Sequence, residues 1–243
     1  MYAVAAICVV HELESGGQRF FHGHRDDISA LAVDPEDKIA ASGQVTSTTS
    51  PAFVCVWEIE TCAELFRIGM TQPPAIERMV AALAFTPDST HLVTVGADDR
   101  HSLKVWDLTD EKTPVFEGQA QNGKPPAVWG VHCAPAHVAS AFGANDFLVT
   151  AGDNHICFWT VMRPKEKGQP YDVESKKGLK LAKDLGLAGS MPVVAMVNHK
   201  DGAEPVVLMK GEVQQLTRIR KKVLHNTKDL HKVAGYWQKE KAN

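Results

Sequence analysis

An all-β fold built from a repeated antiparallel sheet is the class this sequence predicts, and three observations predict it. The first is the stretch Gly23 to Glu58. Its apolar residues alternate through Ile28, Ala30, Ala32 and Ala40, with a continuous apolar edge at Leu31 and Val33. It turns at Asp34-Pro35, passes Ala41-Ser42-Gly43 and closes on Val54-Cys55-Val56-Trp57-Glu58. Short period-2 runs separated by Pro, Asp, Gly and Ser read as antiparallel strands. The second observation is that the pattern returns. Val80 to Phe85, His91 to Gly96 and Leu103 to Asp107 repeat it once, and Val128 to Cys133, Asp146 to Gly152 and His155 to Trp159 repeat it again. The third is that Trp57, Trp106 and Trp159 fall at equivalent places roughly 50 residues apart, above the ~40–45 usual for repeats that stack as propeller blades.

Taken in order, the chain opens with a strand over Tyr2 to Leu13 and a second over Gln18 to His24, which read as the third and fourth strands of a blade. Residues 1–22 are thus the second half of a first blade, and the chain begins in the middle of a repeat. Residues 23–70 form the next blade, with its fourth strand at Ala63 to Ile68. Residues 71–118 and 119–162 form two more, so the expected architecture is an incomplete β-propeller of about three full blades with partial blades at each end. The extra length sits in the loops Val45 to Pro51, Gly118 to Pro126 and Pro135 to Asn145, which the propeller would display at one rim. Residues 163–213 are expected to be a charged connection, Arg163 to Lys180, followed by an eroded fourth copy with strands at Met191 to Val197 and Pro205 to Lys210. Residues 214–243 are a basic tail. Leu216, Ile219, Val223 and Leu230 there fit a helix, and Glu212 to Ile219 also fits a strand; the pattern leaves both open.

Composition bounds the function. Of 243 residues 44% are hydrophobic, enough for a sizeable core. No run of about 18 apolar residues occurs, and Tyr2 to Val10 lacks a basic flank, so neither a spanning helix nor a signal peptide is expected. The chain reads as intracellular. Cys8, Cys55, Cys62, Cys133 and Cys157 are odd in number and show no close pairing, as befits reduced thiols acting as small hydrophobes. The net charge of -3 disfavours nucleic acid as a partner of the whole molecule.

Chemistry-bearing motifs are sparse. No nucleophile elbow or phosphate loop is present, and Asp26-Asp27 and Asp98-Asp99 are turn carboxylates, so no catalytic residue and no cofactor is expected. His11, His22 and His24, or His132-Cys133 with His155 and Cys157, do not fall in a metal-ligand frame, and no metal is expected. The remaining candidate is the cationic stretch Arg218, Arg220, Lys221, Lys222, Lys228 and Lys232, suited to an acidic protein surface.

Gly23-His24 at the front of a repeat and Trp57-Glu58 at its back resemble a WD-repeat blade. That resemblance implies a hydrogen-bonded set within each blade. His24, Ser42 and Trp57 match it in the first copy, Thr94, Asp98 and Trp106 in the second, and Thr150, Asp153 and Trp159 in the third. The first copy lacks the turn aspartate, and the second lacks Gly-His. The role implied is structural.

Within that class, Gln18-Arg-Phe-Phe-His-Gly-His-Arg-Asp-Asp-Ile28, Leu31-Ala-Val-Asp-Pro35, Ala41-Ser-Gly-Gln44 and Gly152-Asp-Asn-His155 resemble the echinoderm microtubule-associated protein-like family over roughly residues 5 to 160. The resemblance implies a non-enzymatic interaction scaffold, partnered by tubulin or other cytoskeletal proteins, in the cytoplasmic cytoskeleton or a cilium or flagellum axoneme. A further chain or segment completing the propeller is a second implied partner. Two other readings use the same fold: an adaptor in a ubiquitin-ligase or signalling complex, and a truncated gene product.

Overall fold

The structure is a computed structural model that describes residues 1–71, 74–109, 114–120, 128–152, 155–166, 168–177, 193–198, 205–209, 212–217 and 222–227. Its first sheet comprises β1 (Tyr2–Val4), β2 (Ile7–His11) and β3 (Gln18–Phe21). The second holds β4 (Ile28–Val33), β5 (Ile39–Gln44), β6 (Val54–Glu58) and β7 (Glu64–Ile68), the third β8 (Val80–Phe85), β9 (His91–Gly96), β10 (Ser102–Asp107) and β11 (Phe116–Gln119). The fourth contains β12 (Val128–Cys133), a short helix α1 (Ala136–Ala141), β13 (Asp146–Gly152), β14 (His155–Met162) and β15 (Asp172–Lys177). The fifth is β16 (Val193–Asn198), β17 (Pro205–Met209), β18 (Glu212–Thr217) and β19 (Lys222–Thr227). Each sheet is an antiparallel meander in chain order. The described residues thus form an incomplete β-propeller, its sheets stacked face to face through their first strands, β4 on β8, β8 on β12 and β12 on β16.

Apolar clusters fill the junctions. Cys8, Phe21, Ala40, Phe53, Cys55 and Trp57 lie between the first two sheets. Val54, Val56, Ile68, Val80, Phe85 and Trp106 lie between the second and third, and Val105, Val128, Leu148 and Trp159 between the third and fourth. The sheets approach so closely at Gly43 that a Cβ there would stand 2.5 Å from the Val80 Cβ, which explains a glycine inside a strand.

One irregularity is repeated. In β4, β8, β12 and β16 the pairing skips one residue near the start, so Ser29, Ala81, Trp129 and Val194 each bulge from the ladder. A bulge at the same place in four first strands increases the local twist where the strands crowd around the axis.

The structure corrects several expectations. The strand expected over Tyr2 to Leu13 is two, because the chain reverses at Ala5, whose φ is 50°, and Tyr2 pairs with Val9. The first sheet therefore holds the second, third and fourth strands of its blade. Residues 172–177 are not part of a linker but the fourth strand of the 119–162 blade, paired with β14 from Cys157↔Lys177 to Met162↔Asp172. An outer strand has a solvated face and edge, so Asp-Val-Glu-Ser-Lys-Lys suits it without an apolar alternation. After Gln214 the choice falls to strand for the described residues. β18 and β19 pair through Gln214↔Asn226, and β18 supplies hydrogen-bond partners to β17 that a helix would leave unmet. The segment Pro135 to Asn145 contains α1 and lies at the opposite end of the strands from Val45 to Pro51. Connections between first and second strands emerge at one end of a meander, those between second and third at the other.

Candidate functional site

At the centre of the second sheet Trp57 Nε1 donates to Ser42 Oγ at 3.0 Å, and Ser42 Oγ lies 2.6 Å from His24 Nε2. The direction of the second bond follows from Gln44. Its Oε1 accepts the Arg25 backbone N–H at 3.1 Å and sits 3.2 Å from His24 Nδ1. Since Oε1 only accepts, Nδ1 carries the proton, Nε2 is bare, and the Ser42 hydroxyl donates to it. The relay runs Trp57 to Ser42 to His24 to Gln44, every member buried. Phe21 stacks on Trp57 at 4.6 Å and 5°, and Phe53 on His24 at 5.5 Å and 17°. Arg67, paired with Glu64 at 2.8 Å, lies over the Phe53 ring at 5.0 Å from its centroid.

The relay reaches the rim through the far end of Gln44. Its amide donates to Ser50 Oγ at 3.3 Å and to the Pro51 carbonyl at 3.1 Å, pinning the loop Val45 to Pro51. Thr46, Thr48 and Thr49 on this loop stay exposed. Val45 bridges to Met79 of the next sheet's approach, and Arg78 pairs with Asp99 at 2.7 Å. Trp129 is 41% exposed on an innermost strand, where the equivalent bulges carry Ser29 and Ala81.

The other copies vary the theme. In the third sheet Trp106 Nε1 donates to Thr94 Oγ1 at 3.0 Å. Asp98 is not joined to that pair; it accepts from Ser102 Oγ at 2.5 Å and from the Arg100 and Ser102 N–H groups, closing the turn. Burial pushes the Asp98 carboxyl up, but these bonds prevail and hold it below its ordinary range. His101 in the same turn is buried, with neither ring nitrogen partnered among the described residues. In the fourth sheet Trp159 Nε1 donates to Thr150 Oγ1 at 3.1 Å, and His155 Nε2 lies 2.8 Å from the same hydroxyl. His155 comes from the third strand of its own sheet, whereas His24 comes from the connection before the first. Asp153 lies outside the described residues, as do Arg218, Arg220, Lys221, Lys228 and Lys232, while Lys222 opens β19.

Sequence reasoning missed a clamp at the opposite end of the strands. Arg163 bonds Asp146 at 2.7 and 2.8 Å and Asp88 of the neighbouring sheet at 2.6 Å, with Thr90 at 2.9 Å. Burial disfavours the charge on Arg163 and raises the Asp88 carboxyl, and the pairing overrides both, keeping Asp88 well below the usual carboxylate range. His91 beside it contacts Thr90 Oγ1 and Tyr171 OH, each at 2.7 Å.

Burial lowers the pKa of His24 and of His91, whose charge Arg163 disfavours further. A depressed histidine stabilises the fold fully above its unfolded value of about 6.5 and loses that contribution as pH falls from there toward the folded value. Melting curves between pH 8 and 5 are therefore expected to show stability falling below about pH 6.5. His24→Gln and His91→Gln should each flatten the slope; parallel profiles for wild type and variants would remove these two groups as its source.

All five thiols are free, and burial pushes Cys8 up to about 11. Among the described residues no group of three or more His, Cys, Asp or Glu could hold a metal ion, and no helix is long and apolar enough to cross a membrane.

Stacked four-stranded meanders, with a third-strand tryptophan bonded to a second-strand hydroxyl, define a WD-repeat β-propeller. Residues 17–231 match the family described as echinoderm microtubule-associated protein first beta-propeller, and the chain belongs to that family. Echinoderm microtubule-associated protein-like 2 of Rattus norvegicus is 31% identical over 170 residues, covering 66% of this chain and 24% of the relative. Cilia- and flagella-associated protein 52 of Mus musculus is 26% identical over 188 residues, covering 77% of this chain and 28% of the relative. The chain thus spans about a quarter of the length of these curated relatives. A chain in a crystal structure of the mitotic checkpoint complex superposes with a TM-score of 0.58 at 16% identity, over 87% of this chain and 57% of that one, a likeness of fold.

Proposed function

We propose that the chain is a non-enzymatic interaction platform of a microtubule-based assembly, cytoskeletal or ciliary. The observation that carries this reading is family membership, with relatives named for microtubules and for cilia and flagella. The geometry supports it: the Trp–Ser–His–Gln relay holds a hydroxyl-rich loop at a rigid rim, as a display scaffold requires. Trp129, exposed near the same end of the strands, is the type of side chain that dominates protein interfaces. The intrablade residues His24, Ser42, Trp57, Thr94, Asp98, Trp106, Thr150, Asp153 and Trp159 stabilise the platform. Arg218, Arg220, Lys221, Lys222, Lys228 and Lys232 supply positive charge for the acidic surface of tubulin.

Co-sedimentation of the purified chain with microtubules at low and moderate salt tests this. Pelleting that weakens with salt is expected, with Trp129→Ala reducing affinity about tenfold at unchanged melting temperature. Replacing the six basic residues by glutamine should flatten the salt dependence. A monomer that stays in the supernatant at low salt would overturn the reading.

A further inference from the structure

We propose that Tyr171 is a phosphorylation site for a tyrosine kinase that reads acidic flanks, and that a phosphoryl group there unlatches the connection between β14 and β15 from the third sheet. The connection presents the tyrosine as a substrate. Around it Lys165, Glu166, Gln169, Pro170 and Asp172 are exposed. Asp172 and Glu174 follow Tyr171, and no lysine or arginine falls within three residues of it. Charge patterns of this kind are what kinases select in a substrate. Tyr2 is the contrast within the same chain: it is 43% exposed in β1, and no carboxylate precedes Glu12.

Tyr171 itself is turned inward and acts as a latch. Its ring packs against the apolar cluster between the third and fourth sheets and meets His91 with centroids 5.7 Å apart and planes at 62°. Its hydroxyl lies 2.7 Å from His91 Nε2. The direction of that bond follows from Thr90. The ionised Asp88 only accepts, so the single Thr90 proton goes to Asp88 Oδ1 at 2.9 Å. Thr90 Oγ1 therefore accepts from His91 Nδ1 at 2.7 Å. Burial and the charge of Arg163 keep His91 neutral, so Nε2 is bare and the Tyr171 O–H donates to it.

A phosphoryl group removes that donor, and nothing nearby compensates. In the transfer the phenolic oxygen bonds to the γ-phosphorus of ATP, the bond from that phosphorus to ADP breaks, and the phenolic proton passes to the kinase's general base. The product carries about −1.5 to −2 charge and three acceptor oxygens. Arg163 is the cation at hand, yet all five of its N–H donors are spent: on Asp146 at 2.7 and 2.8 Å, on Asp88 at 2.6 and 3.2 Å and on Thr90 at 2.9 Å. Asp88, Asp107 and Asp146 are negative neighbours of the Tyr171 hydroxyl. A dianion added beside carboxylates is repelled, so the phosphotyrosine turns to water and leaves His91.

Two measurements on the full-length chain decide it. Incubation with magnesium ATP and the catalytic domain of a tyrosine kinase selective for acidic flanks should label Tyr171 about tenfold faster than Tyr2, read by mass spectrometry. In amide hydrogen exchange the leading residues of β15, 172–174, should then exchange about 100-fold faster than in the unmodified chain, with β5 and β6 unchanged. Tyr171→Phe keeps the ring and removes only the hydroxyl, so exchange there should rise only about fivefold. Three outcomes overturn the proposal. One is a folded chain unlabelled at Tyr171, or labelled first at Tyr2, while a peptide of residues 165–177 is labelled, which would mean that the fold closes the site. Another is a peptide that is itself left unlabelled, which would mean that the flanks do not recruit such a kinase. The third is exchange in β15 unchanged or slowed by the phosphate, which would mean that a protonated His91 holds it in place.

Discussion

Replacing Arg163 by methionine is expected to cost about 3 kcal/mol and to lower the melting temperature by about 6–12 °C. The Arg163 side chain is 19% exposed and that of Asp146 3%, so the substitution leaves a carboxylate buried without a partner while Asp88, at 48%, can turn to water. The penalty belongs to the orphaned charge more than to the lost attraction. Arg163→Met combined with Asp146→Asn should therefore recover about 1–2 kcal/mol of the loss, whereas independent sites would make the double variant worse than the single. Chemical denaturation of the three variants checks both points. A single variant within about 1 kcal/mol of wild type would show that the clamp does not hold the third and fourth sheets together.

Ser42→Ala is expected to cost about 2–4 kcal/mol, the larger end of what a lost hydroxyl does in a core. Its oxygen accepts from Trp57 and its proton goes to His24, so alanine strands a buried donor and a buried acceptor at once. Ser42→Thr keeps the hydroxyl and matches Thr94 and Thr150 at the equivalent places, and should stay within about 1 kcal/mol of wild type. Because Gln44 connects the relay to Ser50 and Pro51, Ser42→Ala should also speed amide exchange in the loop from Val45 to Pro51. Thermal melts and peptide-resolved exchange separate the outcomes. Equal melts for the alanine and threonine variants would mean that the hydroxyl contributes nothing and the aromatic stacking on Trp57 carries the site.

The repeated sheet was legible because it is written in local chemistry. Period-2 runs such as Val54-Cys55-Val56-Trp57 and turns such as Asp34-Pro35 need only neighbouring residues to be read. Pairs such as Ser42 with Trp57 followed from the resemblance, since a buried indole N–H and a buried hydroxyl satisfy each other. β15 carries no strand signal of its own because an outer strand is not obliged to bury alternate residues, and its pairing with β14 is all that defines it. The hairpin at Ala5 was hidden inside a run of apolar residues that alternation alone could not divide. Gln44 stood in a motif carried by resemblance, but its task of fixing the proton on His24 Nδ1 is a matter of two distances around one oxygen.

By itself, the sequence determined the fold class and the number and order of most strands. These depend on periodicity and residue type, which are properties of short stretches. Tertiary structure alone decided which residues meet between blades. Arg163 reaches Asp88 across 75 residues of chain, and His91 reaches Tyr171 across 80. Such contacts exist only once the sheets have stacked. The stacking is driven by nondirectional apolar burial, which brings surfaces together, and the partners of each charge follow from the geometry of those surfaces.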